Sequence, residues 1–159
     1  MRKILMILAA LLIWVSAPAQ TPVEELIVRY GEVNGARDFV AKGTRMILVR
    51  GLLSNYGLGA IEDDVEELYV LKLANTSELT KKEFLADLKT VLVTYEHYGM
   101  VDGKNGLVDV YVRKSGPECV SELVVYNPAI YTLNSLGGTF SVSSLLSLVR
   151  KEQPKDTSE

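Results

Sequence analysis

The sequence predicts an α+β domain: a mostly antiparallel sheet with a four-strand C-terminal meander and about four helices packed mainly on one face. Three observations lead there. Apolar residues recur at i, i+3, i+4 and i+7 in several separate stretches, the spacing of one helix face. Other stretches alternate, as Val108, Val110 and Val112 do against Asp109 and Arg113, the period of a half-buried strand. Helices alternate with single strands early, and four strands then follow one another before a last helix.

Residues 1–19 read as a secretory signal peptide. Arg2 and Lys3 precede the apolar run Ile4–Val15, and Ala17-Pro18-Ala19 puts small residues at the −3 and −1 places before Gln20. The run falls short of the roughly 20 residues that a spanning helix needs. Cleavage would remove two basic residues and so lower the net charge by two from −3, and it would remove Trp14, the only tryptophan. Cys119 is the only cysteine, so no cysteine near the cleavage point can carry a lipid. The expected product is periplasmic or extracellular, not a lipoprotein, with no membrane span after cleavage. It comprises one domain over residues 20–150 and a polar, disordered tail over 151–159.

Thr21-Pro22 ahead of Glu24 and Glu25 is a helix start: a capping hydroxyl, a proline for the first position and acids at the positive dipole end. Val23, Leu26, Ile27 and Tyr30 give it one apolar face, and Asn34-Gly35 ends it. Arg37–Ala41 is a short strand with Phe39 and Ala41 on one side. Thr44 to about Tyr56 is a second helix, apolar almost all round through Met46, Ile47, Leu48, Val49, Leu52 and Leu53. The acidic run Glu62–Glu67 leads into Leu68–Leu73, a nearly continuous apolar strand expected to be covered on both faces.

Thr80 and Glu83 have the spacing of a capping box for the helix that carries Phe84, Leu85, Leu88, Val91 and Leu92. Four strands follow: Tyr95–Val101, Leu107–Arg113, Val120–Tyr126 and Ile130–Leu136. Their turns are Asp102–Gly106, Ser115-Gly116-Pro117 and Asn127-Pro128, with Gly137-Gly138 closing the last. Ser141 caps a final helix whose Val142, Leu145, Leu146 and Val149 share a face.

The wording of the chain from Tyr30 onward is similar to the domain-of-unknown-function 4252 family of small exported proteins from Bacteroidetes-type bacteria. The matching residues are Phe39–Lys42, Val65–Leu73, Tyr95, Asp102-Gly103, Val108–Lys114, Ser121–Val125, Leu133–Gly138 and the closing Leu145-Leu146 helix. The resemblance implies an exported α+β domain. It supplies no activity and no catalytic residues, and the chain departs from the many lipoprotein-like members by lacking their cysteine.

The chemistry scan points to no catalytic residue, cofactor or metal. With 20 acidic against 17 basic residues the chain lacks the basic excess of a nucleic-acid binder. One cysteine and one histidine do not make a zinc site. There is no G-x-S-x-G elbow and no phosphate-cradling glycine loop. His97 is expected to be an ordinary strand residue, Cys119 a buried inert thiol, and Glu62–Glu67 a solvated edge. The feature above background is the second helix, whose apolar girdle exceeds the roughly 100° stripe that a one-sided helix needs. Leu48, Leu52, Tyr56 and Leu58 are its candidate partner surface, with Arg45 and Arg50 at the rim, for an envelope protein or for self-association. The reading is a non-enzymatic binding module; the alternative is a small carboxylate-dependent hydrolase or ligand-binding enzyme, which would need convergent acids in a pocket.

Overall fold

Thr21 opens the first helix with a complete capping box. Its hydroxyl accepts the Glu24 N–H at 3.2 Å, and the Glu24 carboxylate accepts the Thr21 N–H at 3.1 Å. The computed structural model describes residues 19–150. The signal peptide expected over residues 1–19 lies, up to residue 18, outside the described residues, as does the tail expected over 151–159. Helix α1 (Pro22–Gly31) leads to strand β1 (Arg37–Lys42) and helix α2 (Thr44–Leu53), which a short 3₁₀ turn extends over Ser54–Tyr56. A second 3₁₀ turn, Glu62–Asp64, enters β2 (Val65–Lys72). Helix α3 (Glu78–Val91) then precedes the meander β3 (Glu96–Gly103), β4 (Gly106–Lys114), β5 (Cys119–Asn127) and β6 (Thr132–Ser141). Helix α4 (Val142–Arg150) follows.

The six strands form one antiparallel sheet in the order β1-β2-β6-β5-β4-β3. The α+β class and the four-strand meander are as the sequence predicts. The helices, however, divide two and two between the faces instead of lying mainly on one. On the first face Tyr69, Leu71, Val124, Tyr126 and Leu133 meet Val23, Leu26, Ile27 and Tyr30 of α1 and Phe84 and Leu88 of α3. On the second, Leu68, Val112, Leu123, Leu136 and Phe140 meet Met46 and Leu53 of α2, Ile61, and Leu145 of α4. The cause is visible in the central strands. Leu68 stands beside Tyr69 and Leu123 beside Val124, so β2 and β5 are apolar on both sides and each side needs a cover.

Two local expectations change as well. Ser77, not Thr80, caps α3: its hydroxyl accepts the Thr80 N–H at 3.1 Å, so the helix begins one turn earlier and Thr80 becomes a first-turn residue. Gly137-Gly138 does not close the last strand, because β6 runs on to Ser141. Gly138 is required there because a Cβ on it would collide with the Asp64 carbonyl, whereas a Cβ on Gly137 would meet the Glu67 and Glu24 side chains only at ordinary contact distance. Ser141 caps α4 as expected, accepting the Ser144 N–H at 3.1 Å.

Candidate functional site

Helix α2 has one buried face and one bare one. Met46 and Leu53 point into the core with Val49 against them. Ile47, Leu48 and Leu52 are exposed, Leu48 by 78%, and Tyr56 after the helix by 80%. The separation follows from 100° per residue: Leu48 and Leu52 are one turn apart on the side away from Met46 and Leu53. Ordinary solvent-facing helix positions carry polar residues, and three large aliphatic side chains within six positions are therefore a surface feature with a cost.

Two members of the expected surface are placed otherwise. Leu58 is half-buried and packs on the core beneath α2, because its N–H bonds back to the Leu53 carbonyl and folds the exit inward. Arg50 is not a rim charge. Its Nε–H and Nη2–H both donate to the Val65 carbonyl, at 3.0 and 2.9 Å, and clamp α2 to the start of β2. Arg45 remains exposed at the rim. The structure thus brings Leu48, Leu52 and Tyr56 to one side and removes Leu58 from it.

A second constellation was not singled out by the sequence. One cross-strand row on the first face reads Lys42, Glu67, Gly137, Glu122 and Arg113 across five strands. Glu122 is 1% exposed. Its Oε1 accepts the Thr21 hydroxyl at 2.8 Å and the Ser135 hydroxyl at 2.7 Å, and its Oε2 accepts the Tyr95 hydroxyl at 2.7 Å. Glu67 pairs with Lys42 at 3.1 Å, and the Lys42 ammonium lies 4.7 Å from the centre of the Tyr69 ring. Glu24, 4% exposed, hangs from α1 over the gap left by Gly137. Burial raises the Glu24 carboxyl above its ordinary value, and the charges of Glu67 and Glu122 add to this against the opposing Thr21 N–H and Lys42.

The arrangement is a polar latch: it ties the start of α1 to β3, β5 and β6. Glu122 and Glu24 are nearly sealed from solvent; both Glu122 oxygens and Oε2 of Glu24 are engaged by this chain's own donors. The acids converge, as the hydrolase alternative would need, but in the packed interior rather than in a pocket.

A cavity of about 360 Å³ lies elsewhere, shallow, between the end of α3 and strands β4 and β5. Leu85, Leu88, Leu92, Val93, Tyr111 and Tyr126 line it, with Lys89 and Asp109. Asp109 is engaged by His97 Nε2 at 3.2 Å, and the His97 ring stacks on Tyr111 at 4.7 Å. His97 is an exposed strand residue, as expected. Cys119 is free and exposed rather than buried, because it stands at the first position of β5, ahead of the bulge that turns Val120 inward. Among the described residues no group of histidine, cysteine and acids could hold a metal ion, and no helix is long and apolar enough to cross a membrane.

The buried tyrosines set a pH limit. Burial pushes Tyr30 up to about 12, helped by its bond to Asp87, and pushes Tyr126 up to about 12, helped by Tyr131 and Asp109. Tyr95 moves further in the same direction through burial and Glu122. In the unfolded chain these phenols ionise near 10. Their stabilisation is complete below that value and is lost as pH rises through the folded values. Unfolding is expected to set in between pH 10 and 12, with phenolate absorbance of these residues rising together with loss of circular dichroism. Full phenolate absorbance at pH 10 in a folded chain would contradict the burial.

Comparison with protein-family models, with curated proteins and with solved structures gives no match.

Proposed function

We propose that the chain is an exported, non-enzymatic binding module of the bacterial cell envelope. Its contact surface is the outer side of α2. The observation that carries the reading is the bare aliphatic side of that helix, Ile47, Leu48 and Leu52, continued by Tyr56. Three helix positions that do no work in the core are kept apolar, which is what a docking face requires. The acids offer less to the hydrolase reading, since Glu122 and Glu24 are nearly sealed inside the fold.

Export is part of the proposal and has its own measurement. The intact mass of protein recovered from the periplasm is expected to begin at Gln20. Because Trp14 leaves with the signal, its emission should be that of tyrosine alone. Tryptophan emission from the recovered protein would contradict the cleavage.

The surface is tested by Leu52→Lys. Leu52 is more than half exposed, so folding stability should change by no more than about 0.5 kcal/mol, the small range of surface substitutions. Covalent capture of envelope material by a chemical crosslinker should fall at least tenfold. Undiminished capture would move the contact away from α2.

A further inference from the structure

Helices α2 and α4 cover only one end of the second face. There the cross-strand row Ala41, Leu68, Leu136, Leu123 and Val112 is buried throughout. The next row, Phe39, Val70, Asn134, Val125 and Val110, is open. Phe39 is 46% exposed and the other four are half-buried. Val101 and Val108, paired between β3 and β4 further along, are half-buried too. Cross-strand partners share a face, so Phe39 and the valines form an apolar floor that the polar Asn134 of β6 interrupts. The outer side of α2 stands roughly one helix diameter, about 10 Å, above it. The second face is therefore a step, with an apolar low level and an apolar high level.

Charge follows the same step. At the low end Arg37 and Lys72 stand directly opposite each other on β1 and β2, on the side of Phe39 and Val70. Like charges in that position repel. Among the described residues neither has an acidic partner. At the high end, Asp63, Asp64 and Glu66 lie exposed at the entry to β2, without a basic partner among the described residues. The opposite ends of one strand pair thus carry opposite, uncompensated charge.

We infer that the partner on this face is a second copy of the chain, related by a two-fold axis parallel to the sheet and perpendicular to its strands. This rests on the binding reading above and names the partner. A two-fold axis along the strands would set helices against helices and leave both floors bare. The axis across the strands exchanges the ends. The high level of each copy then fills the low level of the other, and Leu48 and Leu52 meet Phe39 and Val70 of the second copy. The same rotation keeps β1 and β2 over β1 and β2, so the acidic entry to β2 in one copy faces Arg37 and Lys72 of the other. The contact is self-complementary and closes at two copies. Thr21 is bonded to Glu122 on the opposite face, and residues 151–159 contain no large apolar side chain.

The test is sedimentation equilibrium on protein purified after export of the full chain, over a range of concentrations. The expected result is a reversible dimer. Lys72→Glu alone and the pair Asp63→Lys with Asp64→Lys should each weaken it by about tenfold, without a matching loss of melting temperature. Combining all three changes in one chain should recover most of the loss, a rescue that a merely structural role of these residues would not produce. A dimer indifferent to every charge reversal overturns this geometry. A monomer at all concentrations overturns the second copy as partner. In that case Leu52→Lys still decides the binding reading by its effect on envelope capture, so the two failures are told apart.

Discussion

Replacing Glu122 by Ala is expected to cost about 3–5 kcal/mol of folding stability, a large share of the 5–15 kcal/mol that a domain of this kind possesses. The Glu122 carboxylate accepts three hydroxyl donors from three separate parts of the chain: Thr21, Tyr95 and Ser135. Each donor left in the interior without an acceptor costs about 1–3 kcal/mol, and the losses are not fully additive because they share one centre. Glu122→Gln keeps one oxygen acceptor and should cost less, about 1–2 kcal/mol. The two variants differ in mechanism as well as size. Glu122→Ala frees the start of α1, and proteolysis near Thr21 should accelerate in it well beyond Glu122→Gln. Urea denaturation of both checks the order, and midpoints equal to that of the unmodified chain would mean that the latch holds nothing.

Replacing Phe84 by Ala should cost about as much, 3–5 kcal/mol, by a different route. Phe84 is fully buried where α1, α3 and β5 meet. Its ring lies 5.3 Å from Tyr30 in an edge-on arrangement and 6.1 Å from Tyr126. The substitution removes the transfer energy of the ring, two aromatic contacts and the filling of the space between two helices. The helices cannot close that space freely, because Tyr30 is also bonded to Asp87 at 2.8 Å. The melting temperature should drop sharply, while the second face keeps its contacts. A loss below about 1 kcal/mol would show that the first-face core collapses onto the gap.

Much of this architecture is legible in the residues, and the unread parts have physical reasons. Helix faces and strand alternation are local, so Val23, Leu26, Ile27 and Tyr30, or Val108, Val110 and Val112, declare themselves. Caps are nearly local: Thr21 is unambiguous, whereas Ser77 and Thr80 compete three residues apart and only the backbone decides. Gly137-Gly138 looks like a turn by composition. The demand falls on Gly138 and comes from the Asp64 carbonyl, which is distant in sequence. Arg50 looks like a rim charge until the Val65 carbonyl comes within its reach.

The outer side of α2 could be foreseen because helical spacing separates Leu48 and Leu52 from Met46 and Leu53. The open floor could not. Which of Phe39, Val70, Val125 and Val110 stand in one row depends on the register of five strands, a long-range property. Glu122 is one of 20 acidic residues. Strand alternation places it on the face of Val124 and Tyr126, but nothing local separates it from the other acids, and the bulge that sends Val120 to the opposite face is set by pairing with β6.

The claim at the centre of this account is that the outer side of α2 is a contact surface and not merely exposed. A photoreactive side chain placed at position 48, compared with one at position 93, tests it most directly. Leu48 and Val93 are equally bare, at 78% and 81%, but Leu48 lies over the second face and Val93 lines the shallow cavity on the first. Irradiation of envelope-exported protein is predicted to give covalent adducts from position 48 and essentially none from position 93. Adducts from position 93 with position 48 silent would contradict the account.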